Sequence, residues 1–101
     1  MVIGLLIIEL SIPYQQTIKE RRNIVRSIKD SVKKRFNVSV ADITEGKEIT
    51  PKAVIGITHI TNDQQRAQTI LANVFNQVDS NYSELIVSYH TEFMQYSLSD
   101  V

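Results

Sequence analysis

Hydrophobic and polar positions change period several times along the chain, and each change marks an element. Residues 2–11 are apolar at nearly every position, Leu6, Ile8 and Leu10 on one side of a pleat and Ile3, Leu5, Ile7 and Glu9 on the other. Such a run predicts a central strand covered on both faces. Pro13 stops it, and Thr17-Ile18-Lys19-Glu20 has the spacing of a capping box that opens a helix. Ile24, Val25, Ile28 and Val32 give that helix its apolar stripe, and it should fade between Arg35 and Asn37. Val38, Val40 and Asp42 then alternate with Ser39, Ala41 and Ile43, the pattern of a short edge strand. Glu45-Gly46-Lys47-Glu48 is the expected turn, and residues 53–60 resume as a strand. Thr61, Asn62 and Asp63 supply caps for a second helix with Ala67, Ile70, Leu71, Val74 and Val78 on one stripe and an end at Asn81. A last strand follows, Leu85, Val87, Tyr89 and Phe93 alternating with Ser88, His90 and Glu92.

The order strand, helix, strand, strand, helix, strand predicts an α+β fold of the ferredoxin-like split βαβ type, βαββαβ. Its four-stranded antiparallel sheet carries both helices on one face. Spatial order 4-1-3-2 places the two most apolar strands at the centre. The expected core is Leu6, Ile8, Leu10, Ile24, Ile28, Val32, Ile55, Ile57, Ile70, Leu71, Val74 and Phe93. One domain should span residues 1–96, with 97–101 a frayed polar tail.

Composition mostly excludes. With 101 residues there is room for one domain, and 43% hydrophobic residues suffice for one core. The chain has no cysteine, which removes disulfides, thiolate metal sites and cysteine nucleophiles and suits a cytoplasmic location. Three scattered glycines cannot form a phosphate-cradling loop. The apolar start reads as a strand and not as an export signal or a membrane span, since no basic residue precedes it and ten residues are too few to cross a bilayer. No cofactor, metal or small-molecule substrate is implied.

Charge changes the picture more. Eleven basic and eleven acidic side chains cancel overall, yet residues 1–52 hold ten of the basic ones against six acids. After Lys52 only Arg66 is basic. Such asymmetry points to an electrostatic partner. Lys19, Arg22, Arg26, Lys29 and Lys33 recur at steps of three and four, so at 100° per residue they share an arc of about 80° and run for about 21 Å along the first helix. Arg21 and Arg35 flank this line. Like charges so placed weaken an isolated helix, and a polyanion would relieve the repulsion. The competing reading is a solvated helix face whose Lys and Arg stems cover apolar surface. No aromatic joins the line, and the central strands lack the stacking aromatics of RNA-recognition sheets, so nucleic acid would be held by shape and phosphate.

That same absence leaves Ile3, Leu5 and Ile7 on the helix-free face, beside Ser39, Ala41 and Ile43, which suggests a homodimer through the sheets. Coverage by loops or the tail is the alternative. Catalysis has little to stand on: His90, Glu92 and Glu9 share one exposed stripe with nothing to enclose them, and an exposed polar stripe explains them as well. His59 has the parity of Ile55 and Ile57 and should face away from His90, which argues against a two-histidine metal site. No catalytic triad is evident.

At Thr17-Ile18-Lys19-Glu20-Arg21-Arg22, at Arg35-Phe36-Asn37-Val38-Ser39-Val40-Ala41-Asp42 and at Thr61-Asn62-Asp63 the chain resembles the YlxP-like bacterial family, over residues 2–94. The resemblance implies a small cytoplasmic protein of ferredoxin-like fold with no established activity, whose genes often lie beside those for translation initiation and ribosome maturation factors. Lys19, Arg21, Arg22, Arg35, Asn37, Ser39 and Asp42 match its polar motif positions. Ile7 departs from it, standing where an outer-face acid is expected, and Thr91 stands where an aliphatic is usual. Together these readings give a non-catalytic module, RNA- or ribosome-associated through the basic first helix. The alternative is a homo-oligomeric protein–protein interaction module with no nucleic-acid role, its basic helix meeting an acidic partner. An enzyme using Glu9, His90 and Glu92 ranks third.

Overall fold

The computed structural model describes residues 1–13, 17–47 and 51–98. The elements are β1 (Val2–Ser11), α1 (Ile18–Arg35), β2 (Ser39–Asp42), β3 (Lys52–Thr61), α2 (Gln64–Tyr82) and β4 (Ile86–Gln95), a short 3-10 turn at Ser83–Leu85 leading into β4. All pairings are antiparallel and the strand order is β2-β3-β1-β4, which is the expected 4-1-3-2 arrangement read from the other edge. This is the ferredoxin-like topology.

The caps lie where the side chains suggested. Thr17 precedes α1, its hydroxyl oxygen accepting from the Glu20 amide at 3.1 Å and donating to the Glu20 carboxylate at 3.3 Å. Asp63 caps α2 by accepting from the Gln65 amide at 3.0 Å, and the helix runs one residue past the expected end, to Tyr82. Between β2 and β3, Asp42 Oδ1 accepts from both the backbone amide and the hydroxyl of Thr44, and Gly46 takes a φ of 83°. A positive φ there favours glycine, which has no Cβ to clash. Glu48, the last residue of the expected turn, and the tail from residue 99 lie outside the described residues. Tyr96 exchanges backbone hydrogen bonds with Met1 in both directions.

Leu6, Ile8, Leu10, Ile55 and Ile57 on the sheet, Ile28 and Val32 on α1, and Leu71 and Val74 on α2 form the buried core. Ile24, Ile70 and Phe93 pack around its margin. Val2, Ile12, Val25, Ala53, Ala67 and Val78 are buried as well. The helix-facing side of β1 is therefore completely covered. β4 is not: α2 lies over β1 and β3 and barely reaches it, so most of β4 is exposed. Its alternation is also interrupted. Glu9 pairs with Ser88 but Leu10 with Ile86, which leaves Val87 as the extra residue of a bulge.

Candidate nucleic-acid interface

Helix α1 buries Val25, Ile28 and Val32 and turns Lys19, Arg22, Arg26 and Lys33 outward, with Lys29 half-buried among them. The side-chain spacing sets this division. Each of these cations lies three or four residues from the next, so a helix anchored on Val25, Ile28 and Val32 presents them as one line. A cleft of about 110 Å³ lies beside the middle of the line, with Arg22, Arg26 and Lys29 on one wall and Asp42 and Glu45, from the end of β2 and its turn, on the other. The two carboxylates lower the local positive potential at the centre. Lys19 and Lys33 lie outside that cleft.

Arg21 does not flank the line. It is 6% exposed, and its guanidinium donates to the Lys52 carbonyl at the start of β3. The reason was present in the sequence: Arg21 stands four residues before Val25 and so extends the stripe of Val25, Ile28 and Val32 toward the helix N-terminus. It joins α1 to the sheet and leaves the surface to its neighbour Arg22. Arg35 is exposed, donates to Gln77 Oε1 of α2 at 3.1 Å and lies 5.4 Å from the Phe36 ring centroid.

On the helix-free face the registers assemble four cross-strand rows, the last of them Val54, Glu9 and Ser88. Ile60, Ile3 and Met94 form one, Thr58, Leu5 and Glu92 the next, and Gly56, Ile7 and His90 the third. Ser39 and Ala41 extend the second and third rows onto β2. Ile3, Leu5 and Ile7 are half-buried, whereas Ile60, Met94 and Ile43 are exposed. Sequence reasoning missed Ile60 and Met94, although both have the parity that places them beside Ile3.

The third-ranked constellation does not assemble. Glu9 bridges to Lys52 at 3.0 Å, and His90 contacts Glu92 at 3.1 Å with both side chains well exposed. His59 faces the opposite side of the sheet and is buried, its Nδ1 donating to the Asn37 carbonyl at 2.8 Å while Nε2 has no hydrogen-bond partner among the described residues. Among the described residues no three His, Asp or Glu side chains are grouped to hold a metal ion.

Residues 3–91 match the family described as "Protein of unknown function (DUF503)". The chain belongs to this family. No curated protein matches it. Among solved structures it is similar to the de novo designed protein Foldit4, with 13% identity, 95% of this chain and 98% of that one covered, and a TM-score of 0.56. It is also similar to protein Atu4242 from Agrobacterium tumefaciens, with 12% identity, 96% and 94% covered, and a TM-score of 0.55. A third is the de novo designed protein LFR1 1 with ferredoxin fold, at 9% identity, 98% and 88% covered, and a TM-score of 0.49. For the first two of these, at such identities, the likeness is one of fold.

Within this DUF503 chain the Arg35–Asp42 segment has structural work to do. Arg35 ties α1 to α2 through Gln77, the Asn37 carbonyl accepts from His59, Ser39 starts β2, and Asp42 caps the turn at Thr44. No helix among the described residues is long and apolar enough to cross a membrane.

Proposed function

We propose that this protein is a non-catalytic cytoplasmic module that binds structured RNA through α1. The observation that carries the reading is the line of Lys19, Arg22, Arg26, Lys29 and Lys33 along one flank of the helix, about 100° round from its buried stripe. Cations spaced at about 5 Å along a straight helix can follow a run of phosphates and would be indifferent to base sequence. The resemblance to the YlxP-like family, with its gene neighbours in translation, makes ribosomal RNA the polyanion of choice. Asp42 and Glu45 face the middle of the line, so fewer than five contacts are expected.

With about four phosphate contacts, log K against log salt should slope near −3 to −4, and Lys33→Ala should reduce the slope by about one. If Arg22→Ala/Arg26→Ala/Lys29→Ala leaves RNA affinity and ribosome co-sedimentation unchanged, the line is a solvated helix face and the reading fails.

The alternative is a homo-oligomeric protein–protein interaction module, the basic helix meeting an acidic partner. One observation favours it: the apolar row Ile60, Ile3 and Met94 on the helix-free face, continued by Leu5 and Ile7. Here Leu5→Glu is the probe, and it should convert a sedimenting dimer into a monomer if that face is the contact.

A further inference from the structure

The two edges of the sheet are unlike. β2 is four residues long and ends at the turn capped by Asp42. β4 is ten residues long, contains no Pro, Lys or Arg, and among the described residues pairs on one side only, with β1. Edge strands in soluble proteins are ordinarily blunted by brevity, lysine, proline, bulges or a covering element. On β4 the single bulge is confined to Val87, and α2 does not cover the strand. Both of its faces remain apolar in part: Tyr89 is 58% exposed on the helix side and Met94 57% exposed on the other. Beside Tyr89 a groove of about 430 Å³ opens toward α2, floored by Leu71, Phe75 and Phe93.

We propose that β4 is a self-pairing edge: two copies of this chain join their β4 strands antiparallel about a two-fold axis at Thr91, giving one continuous eight-stranded sheet. The register follows from the pleat. Residues directly opposite in an antiparallel pair point to the same side of the sheet, so the axis must pass through a residue and not between two. Centred on His90 it opposes two imidazoles, and centred on Glu92 it opposes two carboxylates. Centred on Thr91 it sets His90 of each copy against Glu92 of the other on the helix-free face, and Tyr89 against Phe93 on the helix side. A hydrogen-bonding imidazole–carboxylate pair and an aromatic pair are favourable cross-strand combinations, and both occur twice by symmetry.

This register uses residues 88–94 of each copy, the regular part of the strand beyond the bulge at Val87. It seats each Phe93 beside the other copy's Tyr89, at the mouth of the groove where Phe75 already stacks on Tyr89 at 4.0 Å. Because the axis is perpendicular to the sheet, all four helices stay on one side and the Ile3, Leu5 and Ile7 face is left outside the contact. The inference is independent of RNA binding and of that face.

The chain has no cysteine, which makes a crosslinking test specific. Thr91→Cys places two thiols opposite one another in the proposed pair, with Cβ atoms about 4.5–5.5 Å apart. It should form a disulfide-linked dimer at least tenfold faster than Gln65→Cys on the exposed side of α2. His90→Cys and Glu92→Cys, each opposed to another residue type in this register, should crosslink more slowly than Thr91→Cys. Thr91→Lys sets two cations against each other and should raise the dimer dissociation constant at least tenfold by sedimentation, with circular dichroism unchanged, whereas Leu5→Glu should leave the dimer intact. A parent chain that is monomeric at 100 micromolar, a Thr91→Cys rate no higher than that of Gln65→Cys, or a dimer lost in Leu5→Glu but kept in Thr91→Lys would overturn the proposal.

Discussion

Arg21 and Arg22 are adjacent, alike in charge and opposite in environment, so exchanging each for alanine separates the fold from the surface. The Arg21 side chain is almost wholly buried and donates to the Lys52 carbonyl across the gap between α1 and β3. Removing it deletes a hydrogen bond from a charged donor, worth about 1.5–3 kcal/mol, and withdraws the packing of its methylene stem. Arg22 is exposed, and an interaction held by an exposed charge is worth about 0–1 kcal/mol, less than one made by a buried donor. Arg21→Ala should therefore destabilise the domain by about 2–3 kcal/mol, and Arg22→Ala by several-fold less. In urea, with m near 1–1.5 kcal/mol per molar for a chain of this size, the Arg21→Ala midpoint should fall by about 2 M at unchanged m. The RNA salt slope, measured where both variants are folded, should move only for Arg22→Ala. Equal midpoints for the two variants would refute the assignment of Arg21 to the interior, and a slope change in folded Arg21→Ala would return it to the surface.

A Cβ at Gly4 would come within 2.9 Å of Leu71 Cδ1 and 3.3 Å of the Phe93 ring. Gly4→Val should cost about 1–3 kcal/mol by overpacking in thermal unfolding; a cost no greater when Leu71 is native than in a Leu71→Ala background would show that no clash occurs. His59→Leu removes the donor to the Asn37 carbonyl together with the unpartnered Nε2, so the loss and the relief partly cancel. The net change should stay within about 1 kcal/mol by urea denaturation; a loss above about 3 kcal/mol would mean that Nε2 has a partner.

Much of the fold was legible because burial is written into sequence periods. The two-residue alternation of β1 assigned Leu6, Ile8 and Leu10 to the core and Ile3, Leu5 and Ile7 to the other face, and the registers with β3 and β4 keep that division. Thr17 and Asp63 marked both helix starts because unsatisfied amides need a nearby oxygen, which is a local requirement. The line of cations on α1 followed from 100° per residue alone. Arg21 was legible too, since it extends the apolar stripe, but an arginine's charge suggests surface more strongly than its position suggests interior.

What tertiary structure alone decided is how far each layer extends. Periodicity gives β4 the same inward and outward sides whether or not anything covers them, and only the placement of α2 over β1 and β3 leaves Tyr89 open and an edge strand unguarded. The bulge at Val87 and the pairing of His59 with Asn37 depend on where distant segments come to rest. A sequence fixes which face of an element avoids water through its own spacing, but the partner that covers the face is chosen by the relative positions of whole elements, and those arise only when the chain is packed.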